Sequence, residues 1–186
     1  ARVLCPLYGD LDRDFLETTT PISPFRVSAG GKFKRGAARE GRLPGSEVPV
    51  YLLEHKSCFG RPGVYAGPEG DFPDNAERFL FLARSALALP EKIGWTPDVL
   101  HVHDWTVALI PAFLHALPTN DPRRKWATVL TIHNLEHQGI FSAEDFAQTG
   151  LPEAFFHLNG FEGHGNLNLL KGGISHATKI TTVSPT

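Results

Sequence analysis

The chain lacks most of the features that would place it in a special class. Its 186 residues hold two cysteines, Cys5 and Cys58, too few for a disulfide framework. Cys5 stands in an apolar, strand-like run where a buried free thiol is expected, and that favours a reducing cytoplasm. No apolar run is long enough to span a bilayer, and no signal-peptide pattern opens the chain. A formal net charge of -2 gives the whole chain no strong attraction to nucleic acid or to an anionic membrane. Internal repeats are absent, and so is low complexity outside one glycine-rich stretch. What remains is an ordinary globular composition, 41% hydrophobic and 20% charged. The length suits one well-buried domain and not two.

The order of apolar runs and breakers gives the organisation. Val3 to Leu7 reads as a strand, with "ARVLCPLY" opening directly on it. Pro21 to Gly45 is rich in glycine, proline and basic residues and reads as a loop or irregular hairpin around "AGGKFKRG". Its Gly-Gly-Lys lacks the spacing of a phosphate-binding loop. "VPVYLL" is a strand, and Pro49 within it suggests an edge position or irregular pairing. A long loop, "KSCFGRPGVYAGPEGDFPDN", leads to Asp74 or Asn75 as the cap of a helix. That helix carries Phe79, Leu80, Leu82, Ala83, Ala86 and Leu87 at helical spacing, with Pro90 expected beyond its end. Then come a strand "DVLHV", a helix Trp105 to Leu117 kinked at Pro111, a strand "ATVLTI" and a later strand "ATKITTV". Short β-branched strands alternating with helices predict a Rossmann-like α/β domain, a parallel sheet with helices on both faces. The final Pro185 stands where a further helix would open, and both ends read as cut from a larger protein.

Ligands of such sheets bind beyond the carboxyl ends of the strands. Two strands end there in polar residues, His103-Asp104 and His133-Asn134. Strand alternation puts His101 and His103 on one face with Val102 opposite. If the two strands are neighbours, their ends lie about 5 Å apart and their side chains can converge on one ligand. Rival readings remain open at this point. His-X-His at a strand end can begin a metal site, although none of His137, His157, His164 or His176 falls at a compelling spacing. Asp104 is also a good helix N-cap, and His101, deeper in its strand, suits a structural hydrogen bond.

The wording of several stretches narrows the choice. "GRLPGSEVPVYLLEH", "RPGVYAGPEGDFPDNAERFLF", "DVLHVHDWTVALIPAFL", "ATVLTIHNLEHQGIF" and "GLPEAFFHLNGFEGHGNLNLLKGGISHATKITTVSPT" resemble, in this order, stretches of the bacterial glycogen synthase and plant starch synthase family. The resemblance covers nearly the whole chain and is weakest between Thr18 and Gly41. It implies the N-terminal half of a B-type glycosyltransferase, built from two Rossmann-like domains with the active site in the cleft between them. The implied activity is retaining transfer of glucose from ADP-glucose to the non-reducing end of an α-1,4-glucan. No cofactor or metal is implied, and neither nucleic acid nor membrane is an implied partner. The implied location is cytoplasmic, or plastidial in a plant. Carried over by position, Asp104 and His133 match residues lining the sugar site and are the expected catalytic pair. Tyr65 and Asn134 match positions near the donor glucose or the acceptor.

Departures from the family pattern set further expectations. The family's Lys-X-Gly-Gly-Leu motif, expected after its first strand, is absent; "KGGIS" at Lys171 lies far downstream, where the family has a helix. Residues 1–186 thus read as the acceptor-side domain without its first strand and without the C-terminal nucleotide-binding domain. A chain of this extent is expected to be inactive alone. The alternative from another class is a non-catalytic glucan-binding or structural module of the same fold. A metal-dependent hydrolase built on His101 and His103 is a third reading.

Overall fold

The computed structural model describes residues 1–29 and 32–184. Gly30 and Gly31, at the centre of the glycine-rich stretch, and Pro185, the expected helix opener, lie outside the described residues. β1 (Val3–Pro6) is followed by a short helix α1 (Arg13–Glu17) and by two long strands, β2 (Thr20–Ala29) and β3 (Lys32–Arg42). The stretch read as a loop or irregular hairpin is thus a hairpin for most of its length. Phe25, Val27 and Ala29 alternate inward while Arg26 and Ser28 face out, which is the period-2 pattern of a half-buried strand. The irregularity is local, a register shift between Ile22 and Phe25 around Ser23 and Pro24.

β4 (Pro49–Glu54) pairs parallel to β1 and antiparallel to β3, in a four-stranded sheet of order β1-β4-β3-β2. The edge position expected from Pro49 is not found. Proline occupies the first residue of an interior strand, where few ladder bonds are lost. The long loop after β4 contains α2 (Lys56–Phe59) and a minimal pair, β5 (Ala66–Gly67) and β6 (Gly70–Asp71). α3 (Asn75–Lys92) then packs on β2, and Phe79, Leu80, Phe81 and Leu82 along it are buried. Burial of each such side chain contributes about 1.5–3 kcal/mol. Pro90 lies inside this helix and not beyond it. Asp74 does occupy the N-cap position, but its side chain makes no cap bond and pairs instead with Arg61 at 2.5 Å.

β7 (Val99–His103) leads through a 3-10 turn, Trp105–Val107, into α4 (Leu109–His115). The expected kink at Pro111 does not occur. The helix begins two residues before it, so its missing N–H falls in the first turn, where donors have no intrahelical partner. β8 (Ala127–Ile132) lies parallel to β7. β9 (Ile140–Phe141), α5 (Phe146–Thr149), β10 (Glu162–Gly163) and β11 (Asn166–Asn168) form a small antiparallel cap. α6 (Leu169–His176) and β12 (Lys179–Thr182) close the described chain, and β12 extends the parallel sheet as β12-β8-β7. The α/β architecture predicted from the sequence is the one observed.

"KGGIS" falls within α6, and its glycines serve packing. A Cβ on Gly172 would lie 2.1 Å from the buried Phe161 ring, and one on Gly173 would lie 2.6 Å from Ala108. Lys171 Nζ donates to the carbonyls of Leu158 and Glu162, so this segment fastens the cap to α4 and binds no phosphate by its wording alone. Between β1 and β7 the two sheets leave a cavity of about 630 Å³. Among the described residues each of these strands is paired on one side only, and Leu82, Ala86 and Leu89 of α3 also line the space.

Candidate functional site

β7 and β8 are direct neighbours with His103 opposite Thr131, so the condition for convergence of their carboxyl ends is met. The ladder runs one residue further, because Asp104 N–H donates to the Thr131 carbonyl at 2.9 Å. The chain then turns sharply. Asp104 has φ 56° and ψ -172°, a region almost confined to glycine that costs about 1–3 kcal/mol for other residues. Its carboxylate does not cap the following turn, and this corrects the capping reading. Oδ1 reaches across to β8 and accepts the His133 backbone N–H at 2.7 Å, with the Asn134 N–H at 3.5 Å. Oδ2 accepts no hydrogen bond among the described residues. A half-buried carboxylate is therefore held by one oxygen in a strained backbone, with the other oxygen open.

The histidines are linked in sequence order across the sheet. His101 Nε2 lies 2.6 Å from Thr131 Oγ1, as suits the structural role expected of it. His103 Nδ1 lies 2.9 Å from His133 Nε2, and the rings of His101 and His103 pack 4.3 Å apart. Burial, then the charges of His101 and His133, push His103 below the usual histidine range against the pull of Asp104. Among the described residues no three His, Cys, Asp or Glu side chains are grouped to hold a metal. Of the two imidazoles in the hydrolase reading, His101 is bonded to Thr131 and His103 to His133.

Tyr65 comes from the long loop and joins the same corner. Its ring packs 5.6 Å from Trp105 and 5.9 Å from Phe79. Burial raises its hydroxyl pKa first and the charge of Asp104 adds to the rise, so carboxylate and phenol share one environment. Asn134 is exposed, and its Oδ1 accepts from Glu136 N–H at 2.9 Å, which shapes the turn after β8. Behind that turn the chain folds against Trp105 at Gly139, where φ is 63° and a Cβ would meet the indole at 2.5 Å. Only glycine fits there.

Asp104, His133, Asn134 and Tyr65 are thus all placed at one end of β7 and β8. Three residues, His103, Arg78 and Asn75, contribute contacts that the sequence did not show. His103 bonds to His133, a link that depends on strand register. Arg78 and Asn75 tie down the Tyr65 loop: Asn75 Nδ2 donates to the Tyr65 carbonyl at 2.9 Å, and Arg78 donates to the Cys58 and Val64 carbonyls. No local signal separates Arg78 from the solvent-facing arginines of an ordinary helix.

A carboxylate, imidazoles and a phenol beyond the carboxyl ends of neighbouring parallel strands mark the candidate ligand site of an α/β domain. Comparison with known proteins gives the particular family. The model of the starch synthase catalytic domain matches residues 1–186. Glycogen synthase 2 of Geobacter metallireducens is 43% identical over 186 residues, and glycogen synthase 2 of Geobacter sulfurreducens is 44% identical over 186 residues. Both alignments cover 100% of this chain and 38% of the relative. The catalytic domain of starch synthase IV from Arabidopsis thaliana, solved bound to ADP and acarbose, superposes with a TM-score of 0.83 at 26% identity. That match covers 100% of this chain and 38% of the plant chain. The chain belongs to the starch synthase catalytic domain family, and it spans about 38% of the length of these relatives.

Proposed function

We propose that these residues form the acceptor-side domain of a B-type glucosyltransferase that moves glucose from ADP-glucose to the non-reducing end of an α-1,4-glucan, with retention. Its proposed setting is the cytoplasm, or the plastid if the source is a plant. Asp104 and His133 are the catalytic pair, and Tyr65 and Asn134 hold substrate. The observation that carries this reading is the open Oδ2 of Asp104, presented from a strained backbone beside His133. Strain of this kind persists where the surrounding structure enforces it, most often at functional sites. Family membership and the complex of the plant relative with ADP and acarbose support it.

The chemistry follows from charge. As the bond from the anomeric carbon to phosphate lengthens, positive charge builds on the sugar ring and negative charge on the leaving diphosphate. Oδ2 accepts hydrogen bonds from sugar hydroxyls, and the carboxylate charge favours the cationic ring. His133 fixes the ring through its imidazole and backbone carbonyl. Fixed geometry and preorganised charge lower the barrier without a nucleophile from this domain. The groups that hold the diphosphate belong, on this reading, to a second domain. The slot between β1 and β7 takes an extended apolar strand, since each lip offers an unpaired edge.

Radiolabelled ADP-glucose and glycogen test the reading. The whole protein should add label to non-reducing ends in α-1,4 linkage, while residues 1–186 alone should add none. Glucan binding by the whole protein without label transfer would favour the non-catalytic module. Steady elongation by the isolated residues 1–186 would refute the division into two domains.

A further inference from the structure

Strand register, and not sequence proximity, brings His103 to His133. We infer that His103 is a positioning residue, which fixes the tautomer and ring orientation of His133 through a ring-to-ring hydrogen bond; this rests on the proposed role of His133. The two nitrogens, His103 Nδ1 and His133 Nε2, are 2.9 Å apart. When both rings are neutral, this bridge holds one proton, so the state of one ring dictates that of the other. If both rings were charged, two N–H groups would oppose each other and the bridge would open. Burial and the neighbouring imidazoles hold His103 below its ordinary pKa, and this keeps the bridge intact.

The support behind His103 is continuous. Its ring packs on His101, whose Nε2 lies 2.6 Å from Thr131 Oγ1, and that hydroxyl is 2.7 Å from Thr181 Oγ1. β7, β8 and β12 thus share one polar row that leads to the His103–His133 bridge. At its far end the His133 backbone is fixed as well, through its N–H to Asp104 Oδ1. With Nε2 engaged and the backbone held, the ring orientation of His133 is fixed, and the nitrogen that holds the bridge proton decides whether its Nδ1 carries one. Among the described residues no hydrogen bond reaches that Nδ1. Loss of the bridge frees the ring to rotate and exchange its nitrogens.

The test compares His103→Phe and His103→Asn in the whole protein labelled with 15N-histidine. Asparagine places a polar amide atom where His103 Nδ1 stands, so it can restore the bridge; phenylalanine cannot. The His133 ring nitrogen signals, read without substrate, should move toward a mixture of tautomers in His103→Phe and return in His103→Asn. Turnover kcat should fall about tenfold in His103→Phe, about 1.4 kcal/mol, with KM for ADP-glucose changed less than about threefold. His103→Asn should recover most of that loss. Unchanged His133 signals in His103→Phe would overturn the inference, and so would unchanged kcat or a lowered kcat that His103→Asn fails to rescue. Should the wild-type protein transfer no glucose at all, the proposed function fails, while the nitrogen signals still decide whether His103 sets His133.

Discussion

Asp104→Asn should lower glucosyl transfer at least about a hundredfold, a loss of roughly 2.7 kcal/mol in transition-state stabilisation. Thermal stability should stay within about 0.5 kcal/mol. The two effects separate because the two carboxylate oxygens have different tasks. Asparagine retains an oxygen to accept the His133 N–H and tolerates positive φ better than most residues. It places an NH₂ where Oδ2 stands, so an acceptor becomes a donor and the charge is lost. Asp104→Gly gives the complementary result. Glycine relieves backbone strain of about 1–3 kcal/mol and forfeits a bond contributing about 1 kcal/mol. That variant should be at least as stable as wild type and equally inactive. A purely structural Asp104 would instead leave Asp104→Asn active, and turnover and melting temperature together decide between the two.

Arg78→Met should destabilise the protein by about 2–3 kcal/mol and weaken transfer through Tyr65. Arg78 is fully buried, and its guanidinium packs on Phe72 and Phe79 at 4.9 and 5.2 Å. Its Nε and Nη1 satisfy the Cys58 and Val64 carbonyls and Asn75 Oδ1, while Nη2 has no hydrogen-bond partner among the described residues. The nearby carboxylate of Asp74 is bonded to Arg61. Methionine fills the apolar part of the space but leaves the buried Cys58 carbonyl without its donor, at about 1–3 kcal/mol, and takes a donor from the partly exposed Val64 carbonyl at a smaller cost. Removal of a buried charge offsets part of that cost. A melting point lower by roughly 5–10 °C follows from the chain's size. KM for the glucan should also rise, because the loop that carries Tyr65 loses its anchor. If Arg78→Met proves more stable than wild type, the buried charge is a net cost and this account of the loop is wrong.

Legibility in the sequence varied with the range of the interaction that decided each element. "ATVLTI" became β8 at its predicted bounds, and "DVLHV" became β7 shifted by a residue, because β-branched runs between breakers carry their own signal. In "FRVSA" the alternation of Phe25, Val27 and Ala29 was present in the sequence, but Pro21, Pro24 and the glycines beside it outweighed it. Packing on α3 settles that strand. Pro49 was read as an edge or irregular-pairing signal, Pro90 as a residue beyond its helix and Pro111 as a kink. Pro49 and Pro111 sit where the missing donor costs little, whereas Pro90 stands in the last turn of α3 and removes an intrahelical bond. Asp104, His133 and Asn134 were legible as polar residues at strand ends and Tyr65 only through the family resemblance, whereas their geometry was not legible. The positive φ of Asp104, its reach to His133 and the pairing of His103 with His133 all depend on β7 lying beside β8 in one register. Local spacing could not distinguish a capping Asp104 from a bridging one.

The most direct measurement is a crystal structure of the whole protein with ADP-glucose and a short α-1,4-glucan. The account predicts glucose density within hydrogen-bonding distance of Asp104 Oδ2 and of His133, with Tyr65 and Asn134 around it. A donor glucose seated away from the ends of β7 and β8, in a protein that still transfers glucose, would contradict it.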